Sequence, residues 1–172
     1  MRNDLLPWLA TAGDLGDEVL EIGPGPGLST DLLRELAPRI TTVEQDQAFA
    51  GRLADRLAGT NVTVLCADAT ETGLDGNRFS SVVCLSMLHH VPSAAHQDLL
   101  LSEANRMLAP GGWLLAADAL DCELTRKVHA GDVFTPVPPE TLGTRLAAAG
   151  FEDVAIDIKD TDHEIRFTAR KK

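Results

Sequence analysis

Glu21-Ile22-Gly23-Pro24-Gly25-Pro26-Gly27 is the stretch that decides the fold of this chain. It follows an apolar run, Asp17 to Ile22, and precedes Leu28 to Ala37, where Leu28, Leu32, Leu33 and Leu36 share one helical face. A strand that breaks into three glycines and restarts as a helix is a tight βα turn, open to close approach of a ligand. Ile40 to Glu44 reads as the next strand, and Glu44 ends it 17 residues beyond Gly27. A carboxylate at that place can accept hydrogen bonds from ribose hydroxyls. Turn, acid and strand–helix context together point to a nucleoside-bearing ligand at the carboxyl ends of the strands.

Outward from the turn, strand-like and helical runs alternate, as in an α/β fold with a parallel sheet. Phe49, Leu53 and Leu57 recur every four residues and predict a second helix. Asn61 to Ala67 is a third strand. Phe79 to Ser86 is a fourth, nearly all apolar or small, as suits a central strand covered on both faces. A helix is expected from Ser93 to Leu108, a stop at Pro110-Gly111-Gly112, and a fifth strand from Trp113 to Ala117. Asp118 to Pro138 is less regular. Pro139 to Ala149 predicts a helix closed by Gly150. Phe151 to Ile158 and His163 to Arg170 alternate with period two around a polar Lys159-Asp160-Thr161-Asp162 turn, predicting an antiparallel hairpin at the sheet edge. Met1 to Ala12 reads as a short amphipathic helix whose Trp8 either anchors it to the core or roofs a cleft. The expected fold class is α/β: a doubly wound, mostly parallel seven-stranded sheet with an antiparallel C-terminal strand, in a single domain over residues 1–172.

Composition narrows the function. The 172 residues are 44 % hydrophobic, enough for a sizeable core. Aromatics are only 4 %, without tyrosine, which argues against a base-stacking platform. A formal net charge of −11 should repel phosphate backbones, so nucleic acid is not an expected partner. Cys66, Cys84 and Cys122 lack C-x-x-C spacing, so neither a zinc site nor a disulfide framework is expected, and Cys66 and Cys84 read as buried thiols. No apolar run is long enough for a membrane span and no signal pattern follows Met1, which predicts a cytoplasmic protein with no membrane partner.

The sign of charge selects the cofactor. A dinucleotide turn needs a small residue where Leu28 stands, and Glu21 would repel a pyrophosphate at close range. The same carboxylate would attract an ammonium and a sulfonium. This favours S-adenosylmethionine over a nicotinamide dinucleotide.

Five segments carry a resemblance: Glu21 to Gly27, Val43-Glu44-Gln45-Asp46, Cys66-Ala67-Asp68-Ala69, Leu85-Ser86-Met87-Leu88-His89-His90 and Leu108-Ala109-Pro110-Gly111-Gly112. In order, they resemble the motifs of class I S-adenosylmethionine-dependent methyltransferases, and most of all the branch holding quinone-biosynthesis and small-molecule enzymes. The likeness covers roughly Asp17 to Ala117. It implies a Rossmann-like methyltransferase fold, release of S-adenosylhomocysteine and a small-molecule methyl acceptor. It also implies that Glu21 reaches the methionine ammonium, usually through water, with Gly23, Pro24, Gly25 and Gly27 lying against the cofactor. Glu44 would take the ribose hydroxyls, Gln45 would pack on the adenine, and Asp68 and Ala69 would contact the adenine. Ser86 would offer its carbonyl, and Met87 would pack on the methionine tail.

Two departures from the family stand out. Ser80-Ser81 replaces an aspartate often found at the start of the fourth strand, and only about sixteen residues precede the first strand, where relatives carry a longer lid. The short lid motivates two alternatives: a cofactor-binding subunit completed by a partner, or an open-faced protein or RNA methyltransferase. His89 and His90 follow the fourth strand, where a substrate faces the methyl group, and either could serve as general base. The competing reading packs one under the loop and leaves the other in solvent. His96 reads as surface. His129, Asp132 and Phe134 belong either to an acceptor pocket or to a surface loop.

Overall fold

The computed structural model describes residues 5–12, 15–159, 161 and 163–172. Its strands are β1 (Glu18–Ile22), β2 (Arg39–Glu44), β3 (Val62–Cys66), β4 (Phe79–Leu85), β5 (Leu108–Ala119), β6 (Phe151–Lys159) and β7 (Glu164–Lys171). They form one sheet in the order β3-β2-β1-β4-β5-β7-β6. β1 to β5 pair in parallel, and β7 lies antiparallel between β5 and β6. The doubly wound sheet with a reversed last strand is therefore as the sequence predicts. The winding changes direction between β1 and β4, the place where open α/β sheets leave a crevice for ligands.

The helices are α1 (Leu5–Ala12), α2 (Thr30–Leu36), α3 (Gln47–Leu57), α4 (Ala94–Met107), α5 (Glu123–Val128) and α6 (Pro139–Ala148), with a 3₁₀ turn at Leu88–His90. Side-chain alternation sorts them onto two faces. Leu20, Ile22, Val82, Cys84, Leu114 and Ala116 join Leu100, Leu101 and Met107 of α4 and Leu142 and Leu146 of α6. Val19, Val83, Leu115 and Ala117 point the other way and meet Leu5 and Leu9 of α1 and Leu33 of α2. Each fully buried leucine or isoleucine in these layers contributes roughly 1.5–3 kcal/mol of transfer free energy. Trp8 packs against the second layer, so it anchors α1 to the core. Local signals set the helix starts. The Asp46 side chain caps α3 by accepting from Phe49 N at 2.8 Å, and Ser93 caps α4 by accepting from His96 N at 3.3 Å.

Several expectations are corrected. Pro110-Gly111-Gly112 does not stop the chain but lies inside β5, where pairing passes from Phe79–Leu108 to Ser81–Trp113. A Cβ on Gly112 would sit 2.8 Å from Ser80 O, so the glycine serves this irregularity. Residues 118–138 hold a helix, α5, started by a reciprocal cap in which Cys122 Sγ accepts from Thr125 N and Thr125 Oγ1 from Cys122 N. Cys66 is exposed and only Cys84 is buried, because β3 is half-covered whereas β4 is central. Phe49 is 38 % exposed, and the buried face of α3 is Ala50, Leu53 and Leu57. Leu28 precedes α2 and is also exposed. Arg170 and Lys171 both lie in β7, and Lys171 Nζ donates to Leu108 O at 2.8 Å. Part of the expected N-terminal helix (residues 1–4) and of the hairpin turn (Asp160, Asp162) falls outside the described residues. Ser80 and Ser81 tie the start of β4 to the chain entering β1. Ser80 Oγ accepts from Glu18 N at 3.0 Å, and Ser81 Oγ donates to Leu15 O at 2.9 Å.

Candidate active site

A cavity of about 910 Å³ opens at the carboxyl ends of β1, β2 and β4. Its floor is the glycine turn. Gly23 adopts φ +66° and donates its N–H to Val43 O at 2.9 Å, which ties the turn to β2. A Cβ on Gly23 would lie 2.2 Å from Met87 Cγ, so turn and Met87 can meet only over a glycine. Gly25 adopts φ +52°, and a Cβ there would meet nothing within 4 Å. The open space beside Gly25 is part of the cavity, and Pro24 lines it as well. Gly27 is not on the wall. It packs against Leu53 and Arg56.

Glu44 is held firmly at the end of β2. It is 8 % exposed, its Oε2 accepts from Gly25 N at 2.9 Å and its Oε1 from Asp46 N at 2.9 Å. Each carboxylate oxygen can accept a further bond, so a pre-oriented acid faces the cavity with capacity for two hydroxyls. Gln45, Asp68, Ala69, Ser86 and Met87 share the wall. Asp68 Oδ1 accepts from Thr70 N and Thr70 Oγ1, both at 2.8 Å, and these bonds hold its carboxyl below the usual range. It therefore caps its own turn while lining the cavity. Ser86 adopts φ +52°, a costly conformation for a residue with a Cβ, with its N–H given to Ala117 O at 2.7 Å. The strain turns the chain out of β4 at the cavity wall.

Glu21 is the main correction. It is 1 % exposed and does not line the cavity. Side-chain alternation puts it on the same face of β1 as Val19, under the start of α2, where Ser29 Oγ and Thr30 Oγ1 donate to its two oxygens at 2.5 and 2.6 Å. Burial raises its pKa to about 7 despite those bonds. Its side chain braces the glycine turn from beneath.

The other wall is built from distant segments. His90, Asp132 and His96 line it, with Leu5 of α1 and Glu164 and Arg166 of β7. His96 is thus exposed but at the cavity. Of the two expected bases only His90 reaches the wall. Burial, followed by the neighbouring His89 ring, pulls its imidazole below the usual value. His89 is 3 % exposed and lies behind it, hydrogen-bonded through Nδ1 to Asp118 Oδ1. His129 and Phe134 back this pair, with ring centroids 4.7 and 5.6 Å from that of His89. Sequence reading missed Glu164 and Arg166. They reach the site because β7 inserts beside β5 and pairs Arg166 with Ala117. Strand alternation alone does not reveal that insertion.

A parallel sheet, a glycine turn and a braced acid on the second strand define a Rossmann-like domain built to hold a nucleoside-bearing ligand. Residues 20–116 match the methyltransferase domain family, and the chain belongs to it. It is similar to a probable ribosomal RNA small subunit methyltransferase A of Haloarcula marismortui, 41 % identical over 76 residues that cover 41 % of this chain and 27 % of the relative. The chain thus spans about a quarter of the length of the ribosomal RNA relatives it matches. It is also similar to a ubiquinone biosynthesis O-methyltransferase of Idiomarina loihiensis, 29 % identical over 86 % of this chain and 66 % of the relative. The N-methyltransferase NodS of Bradyrhizobium japonicum, solved in complex with S-adenosyl-L-homocysteine, shares the fold with a TM-score of 0.75 at 22 % identity, over 99 % of this chain and 85 % of that one. Among the described residues no helix is long and apolar enough to cross a membrane.

Proposed function

We propose that this chain, as a single domain over residues 1–172, binds S-adenosylmethionine and transfers its methyl group to a small-molecule acceptor. The observation that carries this reading is Glu44, fixed by two backbone N–H groups at the cavity wall. The cofactor supplies a methyl group already activated on a sulfonium, with S-adenosylhomocysteine as the leaving product. The chain's own contribution is geometric. Glu44 accepts the ribose hydroxyls, Asp68, Ala69 and Gln45 surround the adenine, and the backbone of Gly23, Pro24 and Gly25 with Ser86 and Met87 holds the methionine end. Holding acceptor, methyl carbon and sulfur in line can supply several kcal/mol of the barrier. His90 is the imidazole that can take a proton from an acceptor that must lose one, with His89 behind it as a positioning residue.

A small acceptor is supported by the net charge of −11 and by the reach of the similarity. The O-methyltransferase relative matches 86 % of this chain, whereas the ribosomal RNA relatives match about two fifths of it. Calorimetry with S-adenosylhomocysteine tests the cofactor reading, and saturable one-to-one binding is expected. A folded protein that binds neither S-adenosylhomocysteine nor S-adenosylmethionine would overturn it. A screen of small hydroxyl and amine compounds, read by S-adenosylhomocysteine release, tests the acceptor class. Turnover with RNA and with none of the small compounds would favour the macromolecular reading instead.

A further inference from the structure

Three imidazoles meet behind the acceptor wall. His89 and His90 come from the 3₁₀ turn after β4, and His129 follows α5. One ring nitrogen from each lies within 4.8 Å of the others. The ring planes are inclined at 46°, 73° and 62°, so the rings converge rather than stack. Tertiary bonds hold the two segments together. Thr135 N donates to His89 O at 2.7 Å, and Gln97 Nε2 donates to Leu88 O at 2.9 Å and to Thr135 O at 2.7 Å.

What surrounds the rings matters as much as their convergence. The Nδ1 of each faces an oxygen: Asp118 Oδ1 for His89, Asp132 Oδ2 at 3.5 Å for His90, and Thr125 O at 2.7 Å for His129. A carbonyl oxygen only accepts, so the His129 Nδ1 carries the proton and its Nε2 keeps a lone pair. The same tautomer in the other two leaves three Nε2 lone pairs with oxygen partners behind them. This is the outer shell that metal-binding histidines show. Asp118 is 2 % exposed, and its second oxygen has no hydrogen-bond partner. A buried carboxylate so placed calls for positive charge close by, which a cation held on the far side of the histidine it orients would supply. The Phe134 ring stacks on His129 with centroids 4.5 Å apart and shields that side.

We propose that His89, His90 and His129 form a binding site for a divalent transition metal ion of the zinc class. Imidazole nitrogen is a favoured donor for such ions. Bonds of about 2.0–2.1 Å in a tetrahedron set the nitrogens roughly 3.3 Å apart, so side-chain rotation must draw the triad in around the ion. Three protein ligands leave the fourth position to water or another oxygen donor. His90 and Asp132 line the cavity, so the ion sits on its acceptor side. With an ion bound, the His90 lone pair is engaged and the ring is no longer a base. Only this position relative to the acceptor rests on the methyl-transfer reading, and the ion site itself does not.

The test uses the full chain, stripped with a chelator and titrated with cobalt(II) by visible absorption and with zinc by calorimetry. One ion per chain is expected, with the intense visible bands of a four-coordinate cobalt site. His129→Gln and His90→Gln should each weaken zinc binding by at least a hundredfold. Asp118→Asn should weaken it by about ten- to a hundredfold, the usual effect of losing an outer-shell partner. His163→Gln, outside the cluster, should leave it unchanged. Absence of stoichiometric binding, or binding equal to the parent's in both His129→Gln and His90→Gln, would overturn the site. S-adenosylhomocysteine binding measured on the same stripped protein reads the cofactor proposal separately.

Discussion

The two ends of the cavity are made differently. The end floored by residues 23–27 and walled by Glu44, Asp68 and Ser86 is largely backbone: glycines, left-handed turns, and an acid fixed by main-chain N–H groups. The opposite end is side chain: His90 and Asp132, with Glu164 and Arg166 from a strand that enters the sheet out of order. A backbone-built site is specified by short contiguous motifs and tolerates few substitutions. A side-chain-built site depends on tertiary placement and can change its chemistry without disturbing the fold.

That contrast can be broken or sharpened by substitution. The largest effect is expected for Gly23→Val, whose Cβ must displace Met87 and adopt φ +66°. It should cost the fold on the order of 3 kcal/mol, seen in urea unfolding, and abolish measurable S-adenosylhomocysteine binding.

Next is Glu21→Gln. The folded-state pKa of Glu21 is raised from 4.5 to about 7, so the folded protein binds a proton there that the unfolded chain has released. Stability from this group is therefore full below pH 4.5 and is lost as pH rises through 7. Between pH 4.5 and 8 the parent should lose about 3 kcal/mol relative to Glu21→Gln. Parallel unfolding curves for the two proteins across that range would show that Glu21 is not held as described.

Glu44→Gln removes the charge and sets an amide NH2 against one of the two N–H donors, leaving that donor without an acceptor, and should cost about 2 kcal/mol, or thirtyfold, in S-adenosylhomocysteine affinity by calorimetry. His90→Ala, on the side-chain end, should change stability by no more than about 0.5 kcal/mol. Its S-adenosylhomocysteine affinity should stay within about twofold of the parent's, while turnover of an identified acceptor falls at least tenfold. A thirtyfold affinity loss in His90→Ala would erase the distinction between the two ends.

The same contrast explains what the sequence discloses. Apolar runs and the glycine turn mark β1 to β4, and period-two alternation marks β6 and β7, because these are local properties. Pro110-Gly111-Gly112 misleads because its residue types signal a stop, while the neighbouring strand requires an irregularity in β5. Glu21 misleads for a subtler reason. Its position in the motif suggests a ligand contact, but the parity of β1 points it under α2 toward Ser29 and Thr30. His129 carries no local signal that separates a pocket from a surface loop. It meets His89 only after α5 and the Thr135–His89 bond bring the segments together.

The outermost strand, β6, carries a consequence for behaviour in crowded solution. Ile156 and Ile158 stand 38 % and 47 % exposed on it, which on a flat ribbon would invite a foreign chain to join the ladder. Asp153 at φ +49° interrupts the ribbon, the register slips between Glu152 and Ala155, and Arg170 lies 3.5 Å from the Asp153 carboxylate. A kink of this kind makes an edge strand a poorer template for a foreign chain.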